Sequence, residues 1–289
     1  MFGILLNLWG YIMKLLTLNT HSWLEDKSDL KLQILVDAIY KEKFDIVALQ
    51  EVNQLVKSKP VNNIYGYVQC DDNVIIKKDN FALALVQKLK EKGLNYFWSY
   101  IPSHIGYGIY DEGLAILSLR KIDKATQFYI SKIRDYENFK TRRIVGVKIG
   151  NNEKAKWFFS VHMGWWNDKE DPFQKQWDVV EEYMKNYLSE EVYLMGDFNS
   201  PSDLGDEGYS YILNKGTFKD TYNIAKFKDS GETVKKEIDG WRNSGKKSMR
   251  IDYILKNNIN PVEYSKTIFD GKNYPVVSDH FGVTILCDD

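Results

Sequence analysis

Short apolar runs alternate with stretches whose apolar positions recur every three or four residues along most of the chain. The runs Leu15–Leu18 and Ile46–Leu49 are too short for helices and read as buried strands. Between them, Leu32, Leu35, Val36 and Ile39 share one face of a helix predicted over about 28–43, and a second helix is predicted over about 80–92. From about 94 to 162 the pattern changes to strands, carried by YFWSYIP, LAILS, FYISKI, RIVGVKI and WFFSVH. A third helix is expected after Asp171, read as its N-cap with Pro172 at the first helical position. Its buried stripe would be Phe173, Trp177, Val180, Met184 and Leu188. VYLM at 192–195, DYIL at 252–255 and FGVTIL at 281–286 read as further strands, and the lysine-rich stretch 226–250 as a long loop. With no repeat or linker in view, the pattern predicts one large α/β domain over residues 14–289.

Composition narrows the class. Apolar residues make up 44% and charged residues 27% of 289, enough for a core and too apolar for disorder. A net charge of -1 lacks the basic excess expected of a protein that tracks nucleic-acid backbones. Two cysteines, Cys70 and Cys287, are too few for a disulfide framework and fit a reducing, cytoplasmic location. Residues 1–13 form an apolar extension without charge, basic leader or cleavage site, and too short to span a bilayer. An interfacial anchor, a packed extension and an upstream start before Met13 all fit it; the last two are preferred.

The chemistry lies at the ends of the runs. Four runs end in polar residues: at Asn19, at Gln50-Glu51, at His162, and at Asp197 through Asn199. Four begin with them: Glu112, Arg142, Asp252 and Asp279-His280. Strand ends and strand starts share one edge of a mixed sheet when the strands run in opposite directions, so all eight are expected on one rim. The set is carboxylates, carboxamides, two imidazoles and a guanidinium. It lacks thiolate ligands and an HxxxH pair, which argues against a zinc thiolate or zincin site, and its oxygen-rich ligands select a hard cation, Mg2+ or Mn2+. No phosphate-binding glycine loop is present, so no organic cofactor is expected.

The motifs LNTHSW (18–23), LQEV (49–52), YDEGLAILS (110–118), HMGWW (162–166), GDFNSP (196–201), RIDYIL (250–255) and SDHFGV (278–283) together resemble the endonuclease/exonuclease/phosphatase superfamily, in its order and from Lys14 to Leu286. The resemblance implies a four-layered α/β sandwich, two packed mixed β-sheets flanked by helices. It implies Glu51 as main metal ligand, helped by Asn19 and Asp279. His280 would bind the phosphoryl group, with Asp252 fixing its tautomer, and His162 and Glu112 would form a second such pair. Asp197 would orient or deprotonate water, Asn199 hold a phosphate oxygen, and Tyr110 and Arg142 touch phosphate, Arg142 being preferred to Arg143. His21 is expected to pack beside the site, and His104 to lie in a loop.

Trp165, Trp166 and Trp241 are candidate substrate contacts, although alternation sends the first two opposite ways. The HMGWW and EIDGW segments resemble bacterial members that include maltose 6'-phosphate phosphatases. The expected substrate is a small phosphorylated sugar. Nucleic acid is the alternative, a phospholipid the third choice, and no protein partner is expected.

Overall fold

The computed structural model describes residues 12–150, 155–235, 241 and 248–288; residues 1–11 of the apolar extension lie outside it. In chain order the elements are β1 (Ile12–Asn19), α1 (Ser28–Glu42), β2 (Ile46–Leu55), α2 (Phe81–Glu91), β3 (Phe97–Gly106), β4 (Tyr110–Ser118), β5 (Ile122–Tyr129), β6 (Arg143–Ile149), β7 (Lys156–His162) and α3 (Phe173–Met184). They continue with β8 (Glu191–Asp197), α4 (Gly208–Lys215), β9 (Lys219–Asp220), α5 (Thr221–Ile224), β10 (Ala225–Lys228), β11 (Asp252–Lys256), β12 (Val262–Ile268) and β13 (Gly282–Asp288). Among the described residues the strands form two mixed sheets, ordered β10-β12-β13-β1-β2-β4-β3 and β5-β6-β7-β8-β11-β9.

The apolar runs are continuous because both faces of each sheet are covered. Along β1, Met13 and Leu15 enter the core between the sheets, while Leu16 and Leu18 pack under α1 and α2. Along β8, Tyr193 and Met195 join the central core, while Val192 and Leu194 pack against α3 and α4. The order of layers is therefore helices, sheet, sheet, helices, as the resemblance implies. Each large aliphatic side chain so buried contributes roughly 1.5–3 kcal/mol. Among the described residues no helix is long and apolar enough to cross a membrane.

Several boundaries differ from the sequence reading. The strand expected at FYISKI lies earlier, over Ile122–Tyr129, because it is fixed by pairing with β6. Asp171 does not cap α3; its Oδ2 accepts the Ile133 amide at 3.2 Å, and Pro172 occupies the cap position. Leu188 lies beyond the helix and is exposed. Part of 226–250 is ordered by β10 and by a bridge between Val234 and Met249, while 236–240 and 242–247 lie outside the described residues.

Parallel β7 and β8 leave no room for a side chain at Gly196, where an added Cβ would stand 1.9 Å from the Val161 carbonyl oxygen. Gly196→Ala is expected to cost more than about 2 kcal/mol, because backbone on both sides must move. Chemical denaturation of the variant would show it; an unchanged midpoint would contradict this packing.

Candidate active site

Strand pairing brings the polar termini together. β1 and β2 are parallel, with Asn19 opposite Gln50, and β7 and β8 are parallel, with His162 opposite Asp197. β11 runs antiparallel to β8 and sets Asp252 opposite Asp197. Strand β2 does not end at Glu51. It continues to Leu55 through a register shift between Leu49 and Val52, and Glu51 sits there at φ 52. A bulge of this kind re-aims one side chain, and a non-glycine residue at positive φ costs about 1–3 kcal/mol that the surroundings must offset. Beneath it, Gln50 crosses between the sheets and donates to Ser160 Oγ at 2.9 Å.

The termini enclose a cavity of about 440 Å³. Of the expected residues, Glu51, Glu112, Arg142, His162, Trp165, Asp197, Asn199, Asp279 and His280 line it. Asn19 and Asp252 stand behind this wall. Asn19 Nδ2 donates to Glu51 Oε1 (2.8 Å) and Asp197 Oδ2 (3.1 Å), linking the sheets, while its Oδ1 accepts the His21 amide (3.3 Å). So oriented, Asn19 steadies two carboxylates. Asp252 Oδ2 lies 3.0 Å from His280 Nδ1, as expected. Asp197 Oδ2 lies between the imidazoles, 3.8 Å from His280 Nε2 and 3.7 Å from His162 Nε2.

Other expectations are corrected. Glu112 pairs with His104, not His162: His104 Nε2 lies 3.3 Å from Glu112 Oε1, and its Nδ1 donates to the Thr141 carbonyl (3.2 Å). His104 is therefore a strand residue of the cavity wall, aimed by a register shift in β3 between Pro102 and His104. Tyr110 lies outside the cavity lining, paired with Leu55 and Gly106; Tyr107, in the turn between β3 and β4, takes the rim position. Trp166 turns away and packs against Phe173 and Tyr211. Trp241 donates to Asn199 Oδ1 (3.2 Å) and packs on Val234, Met249 and Ile251, so it orients Asn199. Asn199 Nδ2 in turn donates to the Met163 carbonyl (3.0 Å).

His21, Tyr107 and Phe139 also line the cavity. Alternation gives no sign of them, since all three lie outside the strands, His21 before a short 3-10 helix and Tyr107 and Phe139 in turns. His21 lies within the LNTHSW motif, and its position beside Asn19 is the one available signal. Its Nδ1 contacts Glu25 Oε1 at 2.8 Å, and the same oxygen accepts the Asp279 amide at 3.0 Å.

Burial raises the Glu51 carboxyl, and the charges of Glu112 and Asp279 push it further, to about 8. Burial and the neighbouring Asp252 push Asp197 up to about 7. Burial opposes charge on His280, but Asp252 and Asp197 outweigh it and hold the imidazole well above its ordinary range. Burial, reinforced by Arg142, His104 and His280, keeps His162 far below that range and neutral. The carboxylates Glu51, Glu112 and Asp279 thus repel one another, opposed by the nearby charges of His21 and Arg142. An all-oxygen set of this kind fits a hard divalent cation. Among the described residues, two groups of three bring ligand atoms within 4.8 Å of one another: His21, Glu25 and Asp279, and Asp197, Asp252 and His280.

The His21–Glu25 pair makes a prediction about stability. Burial opposes both charges, yet the Glu25 hydrogen bond and the Asp279 and Glu51 charges raise His21 to about 9, and the His21 and Lys31 hydrogen bonds lower Glu25 to about 2. The Glu25 contribution is present above the ordinary 4.5 and lost as pH falls towards 2. The His21 contribution is present below the ordinary 6.5 and lost as pH rises through 9. Glu25→Gln is expected to cost about 1–3 kcal/mol at pH 6 and to flatten both limbs of the stability curve. Unfolding midpoints measured from pH 3 to 10 would reveal parallel curves if the pair were inert.

Comparison with known proteins gives the family and the fold. The model of the Endonuclease/Exonuclease/phosphatase family matches residues 6–280. A solved endonuclease/exonuclease/phosphatase family protein from Leptotrichia buccalis C-1013-b is similar at 35% identity and TM-score 0.82, over 94% of this chain and 98% of that one. A mannosyl-6-phosphatase of Bacteroides thetaiotaomicron VPI-5482 is similar in fold, with 18% identity, TM-score 0.62 and coverage of 94% and 98%. D. rerio TDP2 complexed with a single-strand DNA product is similar in fold, with 14% identity, TM-score 0.61 and coverage of 95% and 98%. No curated protein matches the chain. With its family match running from the first strand to the final histidine, and a solved relative at 35% identity over nearly its full length, the chain belongs to the endonuclease/exonuclease/phosphatase family of metal-dependent phosphoesterases.

Proposed function

We propose that the protein is a cytoplasmic phosphomonoesterase that removes phosphate from a small sugar phosphate, using Mg2+ or Mn2+. The observation that carries this reading is the wall of the cavity: Arg142 stands beside Trp165, 5.8 Å from its ring, while Tyr107 and Phe139 line the same space, both more than half exposed. One guanidinium among aromatic faces suits a terminal phosphate on an amphipathic ring. The nuclease reading wants a basic track. The lysine pairs that could supply one are Lys77-Lys78 and Lys246-Lys247; Lys77 is tied to Asp111 at 2.5 Å, Lys78 is exposed, and Lys246-Lys247 lie outside the described residues. The mannosyl-6-phosphatase relative shows that proteins of this fold include a phosphosugar enzyme, and the free cysteines Cys70 and Cys287 support the location.

In this reading Glu51 and Asp279 hold the cation, with Asn19 fixing Glu51. When bound, the cation supplies charge neutralisation and polarises a phosphoryl oxygen. Arg142 and His280 receive the phosphoryl group, and Asp252 fixes the His280 ring. Asp197 takes a proton from the attacking water, while the His280 imidazolium gives one to the departing sugar oxygen. Opposed protonation states in one site are what acid–base catalysis at neutral pH needs. Asp197 works only when ionised, so activity is expected to fall as pH drops below about 7, with a bound cation moving that limb lower. A pH–rate profile of kcat/KM would show it; a profile without an acidic limb down to pH 4 would exclude Asp197 as the base.

The aromatic wall has its own test. Phe139→Ala and Trp165→Ala are expected to raise KM about tenfold for a sugar phosphate and less than threefold for a small alkyl phosphate, since stacking involves the sugar alone. Equal changes for both would sink the phosphosugar reading.

A further inference from the structure

Beside the Arg142–Trp165 wall lies a second, small cavity of about 10 Å³, with Arg142, Trp165, Asp168, Asp171 and Gln176 around it. That is the room one water molecule needs. Three of these residues each have a buried polar atom without a protein partner: Arg142 Nε, Trp165 Nε1 and Asp171 Oδ1. Arg142 and Asp171 are only 5% and 2% exposed.

The other polar groups nearby are occupied. Gln176 Oε1 accepts the Gly164 amide (2.8 Å), and its Nε2 donates to the Asp171 carbonyl (3.1 Å). Asp168 Oδ1 accepts the Asp171 amide (2.9 Å), and Lys140 is paired to Asp168 and Glu170. Asp171 Oδ2 accepts the Ile133 amide. Two donors and one acceptor are left over. A water molecule is their complement, with two lone pairs for the donors and a proton for the carboxylate. A metal ion is not, because it would face two N–H groups.

We propose that one buried water occupies this cavity, accepting from Arg142 Nε and Trp165 Nε1 and donating to Asp171 Oδ1, and that Asp171 thereby positions the Arg142 guanidinium. Arg142 Nη1 already donates to the Phe139 carbonyl at 2.6 Å. With Nε held from behind, Nη2 is the nitrogen left for substrate phosphate. Asp171 is a positioning residue, acting through Arg142. This role rests on Arg142 contacting phosphate.

A double-mutant cycle of Asp171→Asn and Arg142→Lys tests it with Mg2+ and a sugar phosphate. Asparagine keeps the shape and can still accept from Ile133, but turns the acceptor facing the cavity into a donor, which the water cannot satisfy. Asp171→Asn is expected to raise KM about tenfold with kcat within about threefold, and to change KM less than about twofold in the Arg142→Lys background. Effects that multiply across the two backgrounds would mean a merely structural defect and overturn the inference. Trp165→Phe, which removes one donor and keeps a ring, should raise KM about threefold, and serves if Asp171→Asn does not fold. A crystal structure of the wild-type protein at about 1.5 Å resolution should show one water within hydrogen-bond distance of all three atoms. A cavity without density would overturn the inference whatever the substrate. If that water is present but Arg142→Lys leaves KM unchanged, the phosphate-contact reading falls, and with it the positioning role.

Discussion

Replacing Asp197 with asparagine is expected to lower kcat for phosphoester hydrolysis by about 10³–10⁴-fold while leaving KM within about threefold. The size follows from position. Asp197 is 1% exposed, lies between two imidazoles, and is the carboxylate whose affinity for protons is raised towards neutrality. Asparagine preserves the acceptor for the Asn199 amide, now 2.8 Å from Asp197 Oδ1, so the loop should stay in place. What disappears is the group that takes the proton from water. Steady-state kinetics with far-ultraviolet circular dichroism would check it; more than about a tenth of wild-type activity would remove Asp197 from the chemistry.

Glu51→Gln is expected to weaken activation by Mg2+ by about 100-fold or more, the loss expected when a direct ligand is changed. It should also stabilise the metal-free protein. The Glu51 carboxyl is raised from 4.5 to about 8, so its contribution to stability is present below pH 4.5 and is lost as pH rises through 8. At pH 8 the metal-free wild-type protein holds a charge its neighbours repel, and the variant does not. The variant should therefore melt higher than wild type without metal and gain less on adding Mg2+. Thermal melts of both proteins with chelator and with Mg2+ would decide it. A variant that melts lower without metal would mean that Glu51 is held by protein contacts alone.

Much of this site was legible as residues at strand termini, because a strand buried on both faces leaves its ends as the places for polar chemistry. Glu51, His162, Asp197 and His280 were found that way, and Asp252 was found behind His280. Pairing within the site was harder. Glu112 lies opposite His104 in the β3–β4 ladder, and only register shows that, since the two are eight residues apart on antiparallel strands. The bulge that turns Glu51 into the cavity leaves no period to detect, so strand β2 reads as ending where it bends. Trp166 and Trp241 show the limit of composition: one indole joins the outer core and the other supports Asn199, while Phe139 and Tyr107, in turns without motif, line the cavity. Helix α4 and strand β12 are short amphipathic elements, and their apolar positions were too few to stand out from the loops around them.

The most direct measurement is phosphate release from a panel of phosphosugars, run beside cleavage of a DNA oligonucleotide by the same protein, with Mg2+ and with Mn2+. The expected result is metal-dependent release of inorganic phosphate from at least one phosphosugar, abolished by Asp197→Asn, with the oligonucleotide left intact. Phosphate release no faster than from Asp197→Asn, together with oligonucleotide cleavage lost in His280→Ala, would contradict the phosphosugar reading and make the protein a nuclease.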